Sequence, residues 1–590
     1  MLTKLIIKNF KKLNDTSEIE LGGQVVFIGP NNSGKTTALQ ALSLWYIGLS
    51  KWLEKKVGKT KEIQRTGAPI NRKDIFSIPT PDAKYLWNNL KVRSGSKTKA
   101  KGTENIRIEI IVEGTNEDKM WKCGLEFDYS GQEVIYCRPI KSDDNLINQY
   151  EELFKTVKIA YLPPMSGLVS EEPKLLNETI AVRIGEGRTA DVLRNICYQV
   201  VHPEIINDEY QKNKNPFEVV GISSNSWSYL VNKMSVFFGV ILNEPFLNAR
   251  GEIVITYKDE HNIELDISCA GRGLQQVLLL LSYLMANPKS VLLLDEPDAH
   301  LEILRQRQIY TLITNVAKEK GSQIIAASHS EIILNEAVDK DTVIAFIGKR
   351  PHRLNDKGSQ LLKSLKTIGF QDYYQAEIKK WVLYLEGSTD LAILQQFATI
   401  LDHPAKKYLE NPFFHSVSTN LPNDAREHFY GLKEAVKDLK GVAIFDRLDN
   451  KELPIEELKI TMWKSREIEN YFFNLNTLLK YAKGETGNDL FSASESSKRV
   501  EIIKKCFNKI VPPIAQEDLD YEYWQNCKAS EQLEQIFKIY FQELGIYNSM
   551  PKNQFYLLSQ YLNPSEKDKK EIIQKLDLIV EVASSAEIIN

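Results

Sequence analysis

The chain has 590 residues, 43% hydrophobic and 26% charged, with a formal net charge of −3. That length exceeds one hydrophobic core, so about two to four domains are expected, and the balanced charge excludes a globally basic nucleic-acid binder, leaving any DNA contact local. The longest apolar runs, such as Val277–Leu284 and Val291–Leu294, are too short to span a bilayer, which argues against a membrane partner.

The six cysteines (Cys123, Cys137, Cys197, Cys269, Cys506, Cys527) include no CxxC pair, so neither a disulfide framework nor a zinc site is supported and the chain reads as reduced and cytoplasmic. The opening MLTKLIIKNF alternates like a strand and lacks a signal peptide's apolar core and cleavage site. Leu2–Lys8 and Ser17–Leu21 read as strands leading into the apolar strand Gln24–Ile28. Gly29-Pro-Asn-Asn-Ser-Gly-Lys-Thr36 comes next, followed by a helical pattern from Thr37 to about Leu49. A glycine-rich loop between strand and helix is a phosphate cradle, because backbone N–H groups and the helix N-terminus converge on the anion. Lys35 is placed to reach the β/γ-phosphates of ATP and Thr36 to put its hydroxyl on Mg²⁺. Gly29, Asn31, Asn32, Ser33, Gly34 and Thr37 complete the nucleotide-binding set.

A lysine-rich stretch, Lys51–Lys61, and the loop carrying Lys97, Lys99 and Lys101 are candidate phosphate contacts for DNA. The alternating runs Ile106–Glu113, Trp121–Phe127 and Val134–Cys137 predict an antiparallel sheet, and Val157–Leu162 a further strand. Residues 171–247 are helical and polar, an insertion whose expected use is oligomerisation. A hairpin (Glu252–Tyr257, Ile263–Ile267) leads to helix 273–286, strand Val291–Leu294, helix 301–319 and strand Gln323–Ala327, an alternation that predicts a parallel sheet. Residues 350–380 read as a connector. A second alternation follows: Trp381–Leu385, Thr389–Leu401, Phe413–Val417, Asp424–Leu439, Val442–Phe445 and Leu458–Met462. From about Gly484 the pattern is helical, with apolar positions such as Leu533, Ile536, Phe537 and Tyr540. The expected class is α/β: an ATPase domain over 1–349, a smaller α/β unit over 381–483 and a helical region over 484–590.

The nucleotide site draws on distant pieces. Val291–Pro297, VLLLDEP, is an apolar strand ending in Asp295, placed to hold the Mg²⁺ water shell, and Glu296, placed to orient or deprotonate the attacking water. Ser268-Cys-Ala-Gly-Arg-Gly-Leu-Gln-Gln276 opens a helix as a second anion-binding element. One nucleotide does not need two such elements on one subunit unless the second serves a partner's nucleotide. Ser328-His329-Ser330 puts an imidazole at the next strand end, within reach of the γ-phosphate. Together these parts resemble the ABC-type ATPase head of the SMC, RecF and OLD group. The resemblance makes Ser268, Gly271 and Gly273 the signature loop, His329 the switch histidine and Asp298-Ala-His300 the loop crossing a dimer interface. It implies a head-to-head homodimer with ATP between Lys35 of one subunit and Ser268 of the other. Arg272-Gly273-Leu274 departs from the transporter signature, which argues against a transporter subunit. Gln64 and the Asn71–Asp74 segment are the candidates for the glutamine loop.

A second acidic centre lies further on. VLYLEGSTD places Glu386 and Asp390 after one strand, VAIFDRLD places Asp446 and Asp449 after another, and WKSREIEN places Glu467 and Glu469 after a third. Carboxylates at several strand ends of one parallel sheet converge on its C-terminal edge. They repel one another unless a hard cation such as Mg²⁺, or Mn²⁺ in its place, neutralises them. Asp390, after Ser388-Thr389, equally suits a helix start.

This arrangement resembles a TOPRIM domain, the metal-dependent module of topoisomerases, primases and OLD-family nucleases. The resemblance implies Glu386 and Asp446 as catalytic acids. Two residues separate Asp446 from Asp449 where the family has one, so either Asp449 substitutes through a bulge or the site leans on Glu467 and Glu469. Lys552, in MPKNQFYLLSQYL, is the candidate for an assisting lysine. An ABC-type head followed by a TOPRIM unit is the OLD-family layout, shared by the nuclease subunit of the Gabija anti-phage system and some retron effectors. That implies an ATP-regulated, Mg²⁺-dependent DNA endonuclease in antiviral defence that forms homodimers, and it leaves open whether the dimers pair into tetramers and whether a separate partner, a helicase or a retron nucleic acid, takes part. Two other functions fit parts of the sequence: an ATP-binding regulator with a degenerate TOPRIM unit, and a RecF-like DNA repair ATPase that leaves 380–480 without a purpose.

Overall fold

The computed structural model describes every residue except 17, 57–66, 95–103, 117–118, 141–145, 204–225, 339, 348–349, 355–368, 418–421, 448–456, 485–489, 519, 563 and 588–590. Asp449, Gln64, Lys59 and Lys61 of the first basic stretch, and Lys97, Lys99 and Lys101 therefore lie outside the described residues. The chain forms two compact units, Met1–Leu362 and Lys363–Asn590.

The first unit is organised on a sheet with the strand order 352–353, 342–345, 24–28, 323–328, 291–295, 159–162. All neighbours pair in parallel except the short edge strand His352–Arg353. Gln24–Ile28, Val291–Asp295, Gln323–Ser328 and Thr342–Ala345 are buried at every position, as strands covered on both faces must be. Alternate residues serve two cores. Val25, Phe27, Leu293 and Ile325 pack with Ala38, Leu42 and Trp45 of the helix Lys35–Lys56. Leu292, Leu294, Ile324 and Ala326 pack with Leu278 and Leu281 of the helix Arg272–Ala286.

Over the helix Lys35–Lys56 lies the antiparallel sheet, in which Leu2–Phe10 pairs with Ile108–Asn116, that strand with Lys119–Tyr129, and Lys119–Tyr129 with Val134–Pro139. The helix outruns its expected end at Leu49 because Trp52 and Leu53 are also buried beneath it. Its fixed point is Trp45, fully buried, whose indole N–H donates to the Cys123 carbonyl at 3.1 Å. The described helices of residues 171–247 direct Ile180, Ile184, Leu193, Ile196, Leu230 and Met234 into the same core as Leu278 and Leu281. Their apolar faces are buried within the unit itself.

In the second unit the parallel strands run in the order 414–416, 381–385, 440–445, 458–462. Trp381, Leu383, Leu385, Val442 and Ile444 share one core with Leu533, Ile536 and Phe537 of Ala529–Leu544 and with Leu576 and Ile579 of Glu566–Glu587. The C-terminal helices thus form one layer of this unit. Among the described residues no helix is long and apolar enough to cross a membrane.

Candidate functional site

Strand Gln24–Ile28 delivers Gly29 in a conformation that side chains rarely adopt, with φ 154°. A Cβ there would lie 2.8 Å from the Phe346 carbonyl oxygen and 2.9 Å from Ser33 Oγ. Asn32 (φ 62°) and Gly34 (φ 108°) complete the turn, Asn31 and Asn32 are exposed, and Thr37 is half-buried in the first helical turn. The Lys12 ammonium bonds the Asn32 carbonyl. The Lys35 ammonium is buried and donates to the carbonyls of Gly29 at 2.7 Å and Pro30 at 2.8 Å, positions from which it can turn to phosphate oxygens. Because the Phe346 carbonyl belongs to backbone and cannot yield, Gly29→Ala is expected to cost roughly 2–3 kcal/mol of stability. A thermal melt of the variant checks this, and the loop's ATP affinity should fall with it.

The Thr36 hydroxyl donates to Asp295 Oδ1 at 3.1 Å, so the two candidate Mg²⁺ groups meet across the sheet. The Tyr161 hydroxyl donates to the other oxygen at 3.4 Å. Burial raises Asp295 to about 6 and repulsion from Glu296 adds to it, against the Thr36 and Tyr161 hydrogen bonds. A carboxylate so placed beside a hydroxyl is a hard-oxygen donor set that suits Mg²⁺. Glu296 takes a left-handed backbone (φ 50°) and its N–H donates to the Ala327 carbonyl at 2.8 Å. Its carboxylate stands 3.4 Å from His329 Nδ1. Asp298 is buried, and its Oδ1 has no hydrogen-bond partner among the described residues.

Ser268 sits in the 3₁₀ turn Ile267–Cys269, its N–H donating to Asp266 Oδ1 at 2.8 Å. Arg194, 1% exposed, donates to the same oxygen at 2.8 Å and fixes the turn from beneath. Ser268 and Gly271 are exposed, and a Cβ at Gly271 would meet nothing within 4 Å. At Gly273 the nearest atom would be Leu301 Cδ2 at 3.4 Å. Packing within the chain therefore gives no reason for glycine at 271. Among the described residues no hydrogen bond or ion pair joins Ser268, Gly271 or Gly273 to the phosphate loop.

In the second unit, Glu386 and Asp446 follow the neighbouring strands Trp381–Leu385 and Lys440–Phe445. The chain leaves the first for strand 414–416 on one side and returns to the second on the other, so the two acids flank the topological switch point, where α/β sheets bind ligands. The Asp446 N–H donates to Glu386 Oε1 at 3.2 Å, and Asp446 Oδ1 accepts the Ile468 N–H at 3.0 Å. Burial raises Asp446 to about 9, reinforced by Glu386, Glu469, Asp390 and Glu467. Glu469 is pushed up to about 8 by burial, Glu467 and Asp390, with Lys552 opposing. Burial also raises Glu386 to about 7, with Asp390 and Glu467 adding to it against the hydrogen bond from Asp446.

Two of the expected ligands have other work. Asp390 accepts the Gly387 N–H at 3.3 Å and the Thr389 hydroxyl at 3.3 Å, closing the first turn of helix Ser388–Ile400. Glu467 accepts the Ser530 N–H at 2.9 Å and its hydroxyl at 3.1 Å, at the start of helix Ala529–Leu544. Among the described residues no three of these carboxylates bring ligand oxygens within 4.8 Å of one another, whereas Asp372, His415 and His428 do bring ligand atoms that close. Those three residues and Tyr161 did not stand out in the sequence.

Two family models match the first unit. Residues 1–166 match one described as an AAA ATPase domain, and residues 158–335 match one described as an AAA domain, putative AbiEii toxin, Type IV TA system. Together they mark this unit as a P-loop ATPase domain, with nucleotide binding and, as is typical of such ATPases, Mg²⁺. No curated protein matches the chain. Among solved structures, an SMC head bound to the C-winged helix domain of ScpA matches at 16% identity and TM-score 0.35, over 60% of this chain and 97% of that one. A second, the SMC head with an extended coiled coil bound to the C-terminal domain of ScpA derived from Pyrococcus furiosus, matches at 16% and 0.35, over 62% and 99%. The SMC head domain from Thermotoga maritima matches at 15% and 0.32, over 60% and 98%. Scores this low carry no structural argument.

Proposed function

We propose that this chain is an ATP-regulated, divalent-metal-dependent DNA endonuclease of the OLD type, with an ABC/SMC-like head and a TOPRIM-like second unit, acting in antiviral defence. The observation that carries the reading is the pairing of Glu386 with Asp446 across the switch point of a parallel sheet, inside a group of acids that push one another's pKa upward. Acids whose pKa values are raised by burial first and by mutual repulsion second are a hard-oxygen donor set awaiting a cation, and this fits Mg²⁺ or Mn²⁺. Bound there, such an ion supplies Lewis-acid activation of a phosphodiester and of its attacking water. Glu386, Asp446 and Glu469 are the proposed ligands. Asp390 and Glu467 buttress them while they cap helices, and Lys552, whose charge is felt at Glu469, is the proposed partner of a phosphate oxygen.

In the head, Lys35 and the loop N–H groups bind the ATP phosphates, Thr36 and Asp295 hold the Mg²⁺ end, and Glu296 with His329 addresses the attacking water. Gly271, exposed and with no packing reason within the chain to be glycine, and the exposed Ser268 beside it are proposed to close over a nucleotide held by a second copy. The description of residues 158–335 as a putative AbiEii toxin domain agrees with a defence role.

Incubating plasmid with the purified chain and Mg²⁺ or Mn²⁺, with and without ATP, tests the assignment. Glu386→Ala is expected to abolish nicking while ATP hydrolysis stays within about twofold of wild type, because the acid belongs to the second unit. Cleavage that persists in Glu386→Ala sinks the nuclease reading. The second reading, an ATP-binding regulator with a degenerate TOPRIM unit, draws on the capping roles of Asp390 and Glu467. It is favoured if the wild-type chain binds DNA but cleaves none under any of these conditions.

A further inference from the structure

Away from the acids that end the central strands, the second unit carries a cluster of a different chemistry. Asp372 lies on helix Phe370–Lys379, His415 on strand Phe414–Ser416 and His428 on helix Pro422–Ala435. His415 Nδ1 is 2.8 Å and His428 Nε2 is 3.0 Å from one and the same oxygen, Asp372 Oδ2. The imidazoles stack face to face with centroids 3.6 Å apart and planes 20° from parallel. On its far side, His428 Nδ1 is 2.9 Å from the Tyr384 hydroxyl.

From this geometry we propose that Asp372, His415 and His428 form a zinc site, with Tyr384 as the outer partner that orients His428. Two imidazole nitrogens and one carboxylate oxygen are a ligand set that zinc takes with a water in the fourth position. Nitrogen donors select against Mg²⁺, so this site and the oxygen-rich acid cluster sort different ions. Around zinc, ligand atoms about 2.0–2.2 Å from the ion stand roughly 3.3 Å from one another. The separations from Asp372, 2.8 Å and 3.0 Å, are hydrogen bonds, and because the rings are stacked with centroids 3.6 Å apart, the part-exposed His415 ring must swing out of the stack to turn its Nδ1 lone pair to the same ion as His428.

The surroundings are already set for it. His415 and Asp372 are 29% and 27% exposed, which leaves a solvent side for a water, while His428 is 10% exposed and held. Burial would raise the Asp372 carboxyl, but the two imidazole hydrogen bonds outweigh it and hold the group down to about 2, so it is anionic at neutral pH. Burial lowers His428, which favours the neutral ring that a metal requires. Burial also keeps the Tyr384 hydroxyl protonated, able to donate to Nδ1 without an ion and to accept from it when Nε2 turns its lone pair to one.

An ion there would clamp helix Phe370–Lys379 and helix Pro422–Ala435 to the edge strand. The next residue, Ser416, donates its hydroxyl to the Glu386 carbonyl at 2.7 Å, so the clamp also steadies the end of strand Trp381–Leu385. The proposal stands without the nuclease reading, since none of its residues is among the acids assigned to that site.

The test uses the full chain, stripped with a chelator and dialysed. Titration with ZnCl₂ in excess Mg²⁺ should load about one zinc per chain, raise the melting temperature, and leave ATP hydrolysis unchanged. Co²⁺ in its place should give visible bands of a nitrogen- and oxygen-ligated, low-symmetry site with no thiolate charge-transfer band. His415→Ala and Asp372→Asn should each lose that zinc, and Tyr384→Phe should weaken it about 10–100-fold. Should His428→Ala fail to fold, the half-exposed positions 415 and 372 still decide the matter, with melts in chelator showing that they fold. Zinc retained in both of those variants, a thiolate band with Co²⁺, or no zinc in the wild type overturns the proposal.

Discussion

Mixing two inactive variants, Lys35→Ala and Ser268→Arg, should restore ATP hydrolysis to about a quarter of the wild-type rate, since half of randomly re-paired dimers are mixed and each mixed dimer keeps one intact composite site of two. Lys35→Ala removes the buried ammonium aimed at the phosphates. Hydrogen bonds to charged groups contribute about 1.5–3 kcal/mol, so its ATP affinity should fall roughly 10–100-fold. Ser268→Arg gives up the serine side chain's hydrogen bond to Asp266, but the backbone bond of the turn remains and the position is exposed, so folding should survive. Each variant alone lacks one half of both sites. The mixed dimer pairs the sound phosphate loop of the Ser268→Arg chain with the sound signature turn of the Lys35→Ala chain. Were each chain to complete its own nucleotide site, mixing would add nothing, and no recovery of hydrolysis would end the composite-site reading. Heteromer formation is read in parallel by tagging one variant and recovering the untagged one with it in the presence of ATP.

The phosphate loop was legible because its residues are local: strand, glycines, lysine and helix follow one another, and only the helix's extent was misjudged, since Trp52 and Leu53 prolong its buried face beyond Leu49. Asp295 and His329 could be read too, because an unbroken apolar run ending in a polar residue marks a buried parallel strand whose end faces the ligand edge. Tyr161 was hidden, since a tyrosine in an amphipathic strand carries no sign that its hydroxyl meets a carboxylate on the neighbouring strand. Asp390 was legible both as an acid and as a helix start, because its cap on Gly387 is local, but the capping of Ser530 by Glu467 depends on a helix whose position only the fold supplies. Asp372, His415 and His428 lie on a helix, an edge strand and another helix, brought together by sheet order alone. The lack of a CxxC pair spoke against zinc, but scattered histidines and an aspartate leave no spacing pattern to find.

Asp446→Asn should make the metal-free chain more stable at pH 8 by about 5 kcal/mol, a rise of roughly 10–20 °C in the melting temperature of a unit this size, while removing its response to Mn²⁺. An aspartate in the unfolded chain ionises near 3.9, whereas burial and its acidic neighbours hold Asp446 at about 9 in the fold. Between those values the folded state binds the extra proton, so metal-free stability must fall as pH rises from about 4 toward 9. Glu386, at about 7, and Glu469, at about 8, tilt the curve the same way, and because they repel one another their effects are shared rather than summed. Asparagine keeps the shape and the oxygen that accepts the Ile468 N–H but has no proton to lose, which flattens the decline. Divalent ions act oppositely on the wild type: binding needs the ionised acids, so Mn²⁺ should add more stability at pH 8 than at pH 6, with protons released as it binds. Nicking should follow the same rise with pH in the wild type and vanish in the variant. If Mn²⁺ stabilises neither protein, the acids serve only to cap helices and buttress one another, and the metal-dependent reading of Glu386 and Asp446 fails with them.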